Sequence, residues 1–146
     1  MIPDIPAGAA NNPFGRPLFN DPSVRKLARV GVVDIGSNSV RMVIFDGAAR
    51  SPAYFYNEKV MCALGAGISD TGRLNPEGRV RALAAVARFE AIAQSLGISP
   101  LTAVATAAVR DANDGPDFCA DVLRETGFTV NVIDGPEEAR LSAQGV

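Results

Sequence analysis

The chain has 146 residues, 47% of them hydrophobic, and a formal net charge of −2. This length suffices for one domain with a hydrophobic core. The absence of a basic excess argues against a nucleic-acid partner, and no apolar run reaches membrane-spanning length. Cys62 and Cys119 are single and far apart, which fits neither a zinc site nor a disulfide framework and indicates the cytoplasm. Because histidine is absent, acid–base chemistry within this chain must use carboxylates.

The N-terminal segment differs in composition from the rest of the chain. Residues 1–28 contain five of the ten prolines and almost no periodic apolar pattern. Such a composition predicts a disordered N-terminal arm. The predicted folded part is residues 29–146.

A short polar segment lies between two apolar runs near the start of the folded part. Residues 30–33 and 40–45 flank Gly36-Ser37-Asn38-Ser39, which predicts two antiparallel strands joined by a tight turn. Gly36 permits close approach of a ligand, and the turn offers hydroxyl, amide and backbone N–H donors to an anion. Asp34, at the end of the first strand, could hold a metal ion. An ordinary hairpin whose Asp and Asn bond their own turn explains the same residues.

The next segments predict a third strand, a loop and a long helix. Residues 52–60 are typical of a strand antiparallel to the second, and residues 61–75 predict a long, flexible, glycine-rich loop. Asn75-Pro76-Glu77 is typical of a helix start, and Gly97 of its end. The spacing of apolar residues predicts a core-facing side made of Val80, Leu83, Ala84, Ala87, Ala91 and Ile92. Arg79, Arg81 and Arg88 are assigned to solvent.

The C-terminal half predicts two more strands, each followed by helical structure. The strands are residues 101–105 and 128–133. Residues 107–110 predict a short helix or turn, and a helix begins at Gly115 with Phe118, Val122 and Leu123 directed toward the core. A last helix begins at residues 134–137. The order βββαβαβα predicts an α/β fold with a mixed five-stranded sheet.

Charged residues follow the last two predicted strands. Ligands of α/β sheets bind beyond the carboxyl ends of strands, where Arg110 could grip a phosphate with two parallel hydrogen bonds. A surface arginine at a helix start is the alternative. Glu137 and Glu138 occupy a first helical turn, where the helix dipole favours carboxylates; alternatively, one of them activates water as a general base. Because adjacent helical residues point about 100° apart, only one should face a site.

Three segments, in this order, resemble the exopolyphosphatase/guanosine pentaphosphate phosphohydrolase family of the sugar kinase–Hsp70–actin superfamily. Residues 34–41, Asp-Ile-Gly-Ser-Asn-Ser-Val-Arg, look like its first phosphate loop. Residues 105–113 look like its second segment and residues 135–141 like its glutamate segment. The resemblance covers roughly residues 29–146 and implies the first part of a ribonuclease-H-like, actin-like ATPase domain.

The resemblance also implies an activity and the residues that carry it. The reaction would be hydrolysis of a terminal phosphoanhydride in inorganic polyphosphate or guanosine pentaphosphate, with Mg²⁺ offsetting negative charge. Glu138, rather than Glu137, would be the catalytic base. Asp34 would supply part of the coordination of the metal ion. The residues implied to contact substrate phosphate are Gly36, Ser37, Asn38, Ser39, Arg41 and Arg110.

The chain stops earlier than members of that family do. They continue with a second glycine-rich phosphate loop and a second domain, so this chain looks like a fragment that is close to inactive alone. A homodimer is expected for a full-length protein. The alternatives are a non-catalytic actin-like or Hsp70-like nucleotide- or phosphate-binding module, and an inactive remnant.

Overall fold

A computed structural model of the chain describes residues 29–46, 53–98 and 101–143. The predicted arm at residues 1–28 lies outside the described residues. The strands are β1 (Arg29–Ile35), β2 (Ser39–Asp46), β3 (Ala53–Met61), β4 (Leu101–Ala105) and β5 (Val130–Val132). The helices are α1 (Ile68–Thr71), α2 (Pro76–Ser95), α3 (Ala107–Asp111), α4 (Gly115–Thr126) and α5 (Gly135–Ala143). None of these helices combines the length and the hydrophobicity needed to cross a bilayer.

The five strands form one mixed sheet in the order β3-β2-β1-β4-β5. The pairs β1–β2 and β2–β3 are antiparallel, whereas β1–β4 and β4–β5 are parallel. Parallel neighbours need crossover connections, and these run through α2 and through α3 with α4. The predicted α/β class and mixed five-stranded sheet are confirmed. β5 is shorter than predicted, since only Val130–Val132 pair with β4.

The main core lies on one face of the sheet. Alternate residues of β1 and β2, including Val33, Ile35 and Met42, are fully buried there. They belong to one cluster with Phe89 of α2 and Phe118 of α4. Because successive side chains of a strand point to opposite faces, Asp34 lies on the other face.

The start of α2 is as predicted, but its core-facing side is only partly so: Leu83 and Ile92 pack against the core, whereas Ala84 and Ala91 are exposed. The Asn75 side chain accepts a hydrogen bond from the Gly78 N–H at 2.8 Å, and Pro76 opens the helix. Val80, predicted in the core, is 68% exposed. A Cβ at Gly78 would lie 2.8 Å from the carbonyl oxygens of Cys62 and Ala63, so this glycine packs against backbone and sets the rotation of the helix. The residues that α2 buries are Gly78, Ala82, Ala85, Val86, Phe89 and Ala93.

The prediction for α4 is wrong at one position. Phe118 and Val122 are fully buried as predicted, but Leu123 is 49% exposed. Val122 and Leu123 are adjacent on a helix and point about 100° apart. The core therefore accepts only one of the two.

Arg79 was predicted to be solvated, and the structure places it in an ion-pair network instead. Its Nη1 lies 3.1 Å from Oδ2 of Asp114, and its Nη2 contacts Asp121. Asp114 is only 5% exposed and also accepts the Leu74 N–H at 2.9 Å. The network thus ties α2, α4 and the segment before α2 together. Arg81 and Arg88 are exposed, as predicted.

The segment at residues 61–75 is more regular than the predicted flexible loop. It contains α1, which Gly67 and Gly72 flank with φ values of 78° and 68°. Leu64 and Leu74 are buried in the core, and the Asn75 N–H donates to the Leu64 carbonyl at 2.9 Å. These contacts give the segment a defined path between β3 and α2.

Candidate active site

The segments predicted to carry function follow three neighbouring parallel strands. The Thr106 N–H donates to the Ile35 carbonyl at 3.2 Å, and the Ile133 N–H donates to the Ala105 carbonyl at 3.0 Å. The ends of β1, β4 and β5 are therefore in direct contact. Because the carboxyl ends of parallel strands meet at one edge of a sheet, the turn after β1, helix α3 and the start of α5 share that edge.

The polar turn forms as predicted between β1 and β2. The Gly36 N–H donates to the Ser39 carbonyl at 2.9 Å, which closes the hairpin. Ser37 and Asn38 are exposed at its tip. The Ser37 carbonyl accepts the Gly65 N–H at 2.8 Å. Since C=O and N–H point in opposite directions in a trans peptide, the Asn38 N–H points away from the segment that holds Gly65.

Arg110 connects the strand ends through its side chain. Its Nη1 donates to the Ile133 carbonyl at 3.2 Å and lies 3.5 Å from Oε2 of Glu138. Its Nε donates to Oδ1 of Asp111 at 3.1 Å. The guanidinium is partly exposed. Arg110 is thus held in place by the residue after β5 and by α5, while its charge remains accessible to an anion.

The two neighbouring glutamates have different partners. Both oxygens of Glu137 accept from Arg140, at 3.0 and 2.6 Å, and this pairing lowers the pKa of Glu137. Glu138 faces Arg110 instead. The first turn is capped by Asp134, whose Oδ1 accepts the Glu137 N–H at 2.7 Å. Helical geometry therefore separates the two carboxylates: Glu138 faces Arg110 at the strand-end edge, and Glu137 pairs with Arg140 of its own helix.

The pKa of the Asp34 carboxyl is raised above its ordinary value. Partial desolvation raises the pKa of Asp34, and the negative charge of Glu138 raises it further. The positive charge of Arg41 acts in the opposite direction and lowers that pKa. Arg41 lies directly opposite Asp34 in the β1–β2 register, and residues opposite each other share a face of the sheet. With Asp111 beside Arg110, the site therefore contains three carboxylates and two arginines.

The geometry brings the predicted residues to one edge, although their roles remain predictions. Gly36, Ser37, Asn38 and Ser39 form the turn, Asp34 and Arg41 lie at its base, and Arg110 contacts Glu138. The prediction overlooked Asp111, which contacts Arg110, and Gly65, which contacts the turn. The contact of Asp111 could have been predicted from its position next to Arg110 in the sequence. No residue near Gly65 in the sequence indicated its contact with the turn.

The fold is that of an α/β domain with a mixed five-stranded sheet, and comparison with known proteins identifies its family. The model of the Ppx/GppA phosphatase family matches residues 43–146. The chain belongs to this family.

Curated relatives include two proteins of Mycobacterium tuberculosis. Exopolyphosphatase 1 is 32% identical over 115 residues, which are 78% of this chain and 33% of the relative. Exopolyphosphatase 2 is 35% identical over 128 residues, covering 82% of this chain and 40% of the relative. The matched region therefore spans 33% to 40% of the length of these relatives.

Solved structures of the family confirm the fold. The chain matches the Ppx/GppA family member of Aquifex aeolicus with a TM-score of 0.70 at 30% identity, over 77% of this chain and 37% of that one. It matches an exopolyphosphatase from Cytophaga hutchinsonii with a TM-score of 0.72 at 32% identity, over 77% and 36% of the two chains. The predicted fold, an α/β partial domain with a mixed five-stranded sheet, is therefore confirmed.

Proposed function

We propose that this chain is the base-carrying part of an exopolyphosphatase-type hydrolase, which releases terminal phosphate from inorganic polyphosphate or guanosine pentaphosphate. The contact between Arg110 and Glu138 carries the proposal. It combines a phosphate-binding cation and a carboxylate beside a turn with outward-facing donors. The curated relatives named exopolyphosphatases favour polyphosphate.

In this proposal, some residues bind the substrate phosphate and one residue accepts a proton. The Ser37–Ser39 turn and Arg110 hold oxygens of the terminal phosphate, with Gly36 allowing close approach and Arg41 adding positive charge. Glu138 accepts a proton from water, whose oxygen attacks the terminal phosphorus. The bond from that phosphorus to the bridging oxygen breaks, and the shortened chain leaves. Phosphoryl transfer depends mainly on such positioning and charge stabilisation.

The carboxylates fit a partial Mg²⁺ site completed by substrate. Within residues 29–46, 53–98 and 101–143, no group of three or more His, Cys, Asp or Glu residues is arranged to hold a metal. Mg²⁺ commonly uses only one or two carboxylates together with substrate phosphates and water. Asp34, which is exposed near the end of β1, would supply one such ligand. Bound Mg²⁺ would offset the charge of the phosphate chain.

The proposal concerns a whole protein that operates as a homodimer in the cytoplasm, with this chain as one part of its cleft. In this chain, the described edge can bind one side of a phosphate group. The other side, and exclusion of water, require further structure. We therefore expect the 146-residue chain alone to be close to inactive.

The test is phosphate release from long-chain polyphosphate with Mg²⁺, measured with malachite green. It compares the chain alone with a fusion in which the remaining part of Mycobacterium tuberculosis Exopolyphosphatase 1 follows residue 146. We expect release only by the fusion. Full turnover by the chain alone would contradict the role given to the missing part of the cleft. Tight ATP binding without any phosphate release by either protein would favour the alternative, a non-catalytic nucleotide-binding module.

A further inference from the structure

Gly65 lies where three segments of the candidate site meet. Its N–H donates to the Ser37 carbonyl at 2.8 Å. A Cβ at this position would lie 3.2 Å from Cβ of Ser37 and 3.3 Å from Cβ of Ala108. Both distances are shorter than ordinary van der Waals contact between carbon atoms. The absence of a side chain at Gly65 therefore allows the turn and α3 to approach each other.

Space, rather than backbone conformation, accounts for glycine at this position. Gly67 and Gly72 in the same segment have positive φ values, 78° and 68°. Gly65 is not among the glycines with positive φ, so an L-residue could adopt its backbone conformation. Alanine at position 65 would instead change the distance between its neighbours Ser37 and Ala108.

The segment around Gly65 supports the turn from one side. The N–H groups of Cys62 and Ala63 both donate to the Asn38 carbonyl at 2.9 Å. Leu64, between them and Gly65, is fully buried. The segment is therefore anchored in the core, and a displacement at Gly65 would pass to the turn rather than to the core.

Ala108 connects this contact to Arg110. Both residues belong to the short helix α3, and Ala108 is buried. Because a helical turn is rigid, the position of Ala108 determines where the Arg110 backbone lies relative to Ser37. The contact at Gly65 thus sets the separation between the two phosphate-binding elements.

We propose that Gly65 is a positioning residue that sets the spacing between the Ser37–Ser39 turn and Arg110, so that both bind the same terminal phosphate. The inference rests on the proposed function, because it requires these two elements to share one substrate group. Gly65 itself does not touch the substrate.

The first variant is Gly65→Ala, which should separate the turn from α3 by a few tenths of an ångström. A misplacement of about 1 Å can cost on the order of 10²-fold, so we expect KM for polyphosphate to rise about fivefold in the fusion protein. The kcat should change less, because the contact between Arg110 and Glu138 does not involve Gly65. The dissociation constant of inorganic tripolyphosphate from the 146-residue chain should rise by a similar factor.

The second variant adds Ala108→Gly to Gly65→Ala and removes one of the two close contacts. Glycine is a poorer helix former than alanine, so this change should lower the melting temperature. A positioning role nevertheless predicts that KM and the tripolyphosphate dissociation constant return toward their original values. Substrate binding then improves while the melting temperature falls. A merely structural role would instead weaken binding as the melting temperature falls.

Gly31→Ala is the matched control. A Cβ at Gly31 would lie 2.4 Å from Cδ1 of Leu101, at the end of β1 remote from the turn. We expect a lower melting temperature with unchanged KM. An unchanged KM in Gly65→Ala would overturn the inference, and so would weaker binding by the double variant than by Gly65→Ala. Turnover by the wild-type fusion protein would, in either case, leave the proposed function intact. Absence of any polyphosphate binding or hydrolysis by the wild-type proteins would overturn both.

Discussion

The guanidinium of Arg110 lies 3.5 Å from the carboxylate of Glu138, measured from Nη1 to Oε2, across 28 residues of sequence. The same Nη1 also donates to the Ile133 carbonyl. A guanidinium has five N–H donors, so a phosphate competes with Glu138 where it takes the Nη1 donor that faces this carboxylate. In the proposed reaction, this competition would free the carboxylate to accept a proton from water as substrate binds.

The first prediction concerns the base. Glu138→Gln keeps the shape of the side chain but cannot accept the proton, so kcat of the fusion protein should fall on the order of 10²–10⁴-fold. KM should change little by comparison. The measurement is steady-state phosphate release from polyphosphate, with circular dichroism to establish that the fold is retained.

Glu137→Gln is the matched control for this substitution. Glu137 pairs with Arg140 of its own helix in a solvent-accessible ion pair, so its loss should leave kcat within about twofold, because such pairs contribute little. A large loss in Glu137→Gln together with full activity in Glu138→Gln would transfer the role of base to Glu137.

The second prediction concerns phosphate binding by Arg110. Arg110→Lys keeps the charge but loses the planar fork that binds two oxygens. Loss of one charge-assisted hydrogen bond, about 1.5 kcal/mol, should raise KM roughly tenfold. Arg124→Lys is the control, because Arg124 is exposed and pairs only with Asp121 among the contacts described for α4. Equal effects of the two substitutions would show that general positive charge, not Arg110, binds the substrate.

The third prediction is a pH dependence of stability from Asp34. Its pKa is raised above the ordinary value of 3.8, chiefly by desolvation and then by Glu138. The folded state therefore binds this proton more tightly than the unfolded state, and the stability that Asp34 contributes is present at acid pH and is lost as pH rises through the folded pKa. Ionised Asp34 should thus destabilise the fold at neutral pH.

Asp34→Asn should accordingly be more stable than wild type at pH 7, with the difference disappearing toward pH 3. Urea unfolding without Mg²⁺ at a series of pH values measures this. The gain in stability should accompany lost activity in the fusion protein, since the introduced amide carries no charge for Mg²⁺. A variant that is less stable than wild type at pH 7 would contradict the prediction.

The fourth prediction concerns the buried carboxylate of Asp114. Asp114→Ala leaves the Leu74 N–H and the Arg79 guanidinium without the acceptor they share. Breaking a buried pair in this way typically costs about 3 kcal/mol, measured as the free energy of unfolding in urea. Glu125→Ala, at an exposed position on the same helix, should change it by less than about 0.5 kcal/mol. Similar effects at both positions would remove the special role of Asp114.

Elements that depend on nearby residues were predictable from the amino-acid sequence. The Gly36–Ser39 turn follows from polar residues between two apolar runs, and the start of α2 follows from Asn75 and Pro76. In both cases the deciding interactions span a few residues: the Gly36 N–H bonds the Ser39 carbonyl, and Asn75 caps the Gly78 N–H. The succession of strands and helices along the chain could be anticipated for the same reason.

Choices among equivalent local patterns were settled by contacts between distant parts of the chain. The apolar and small residues of α2 form more than one helical stripe, so periodicity alone could not choose between Val80 and Phe89. The packing of Gly78 against the carbonyls of Cys62 and Ala63 makes that choice. Glu137 and Glu138 are likewise equivalent by position, until Arg140 pairs with one and Arg110 with the other. Arg110 reaches Glu138 only because β4 and β5 are neighbours, and that is a property of the assembled sheet.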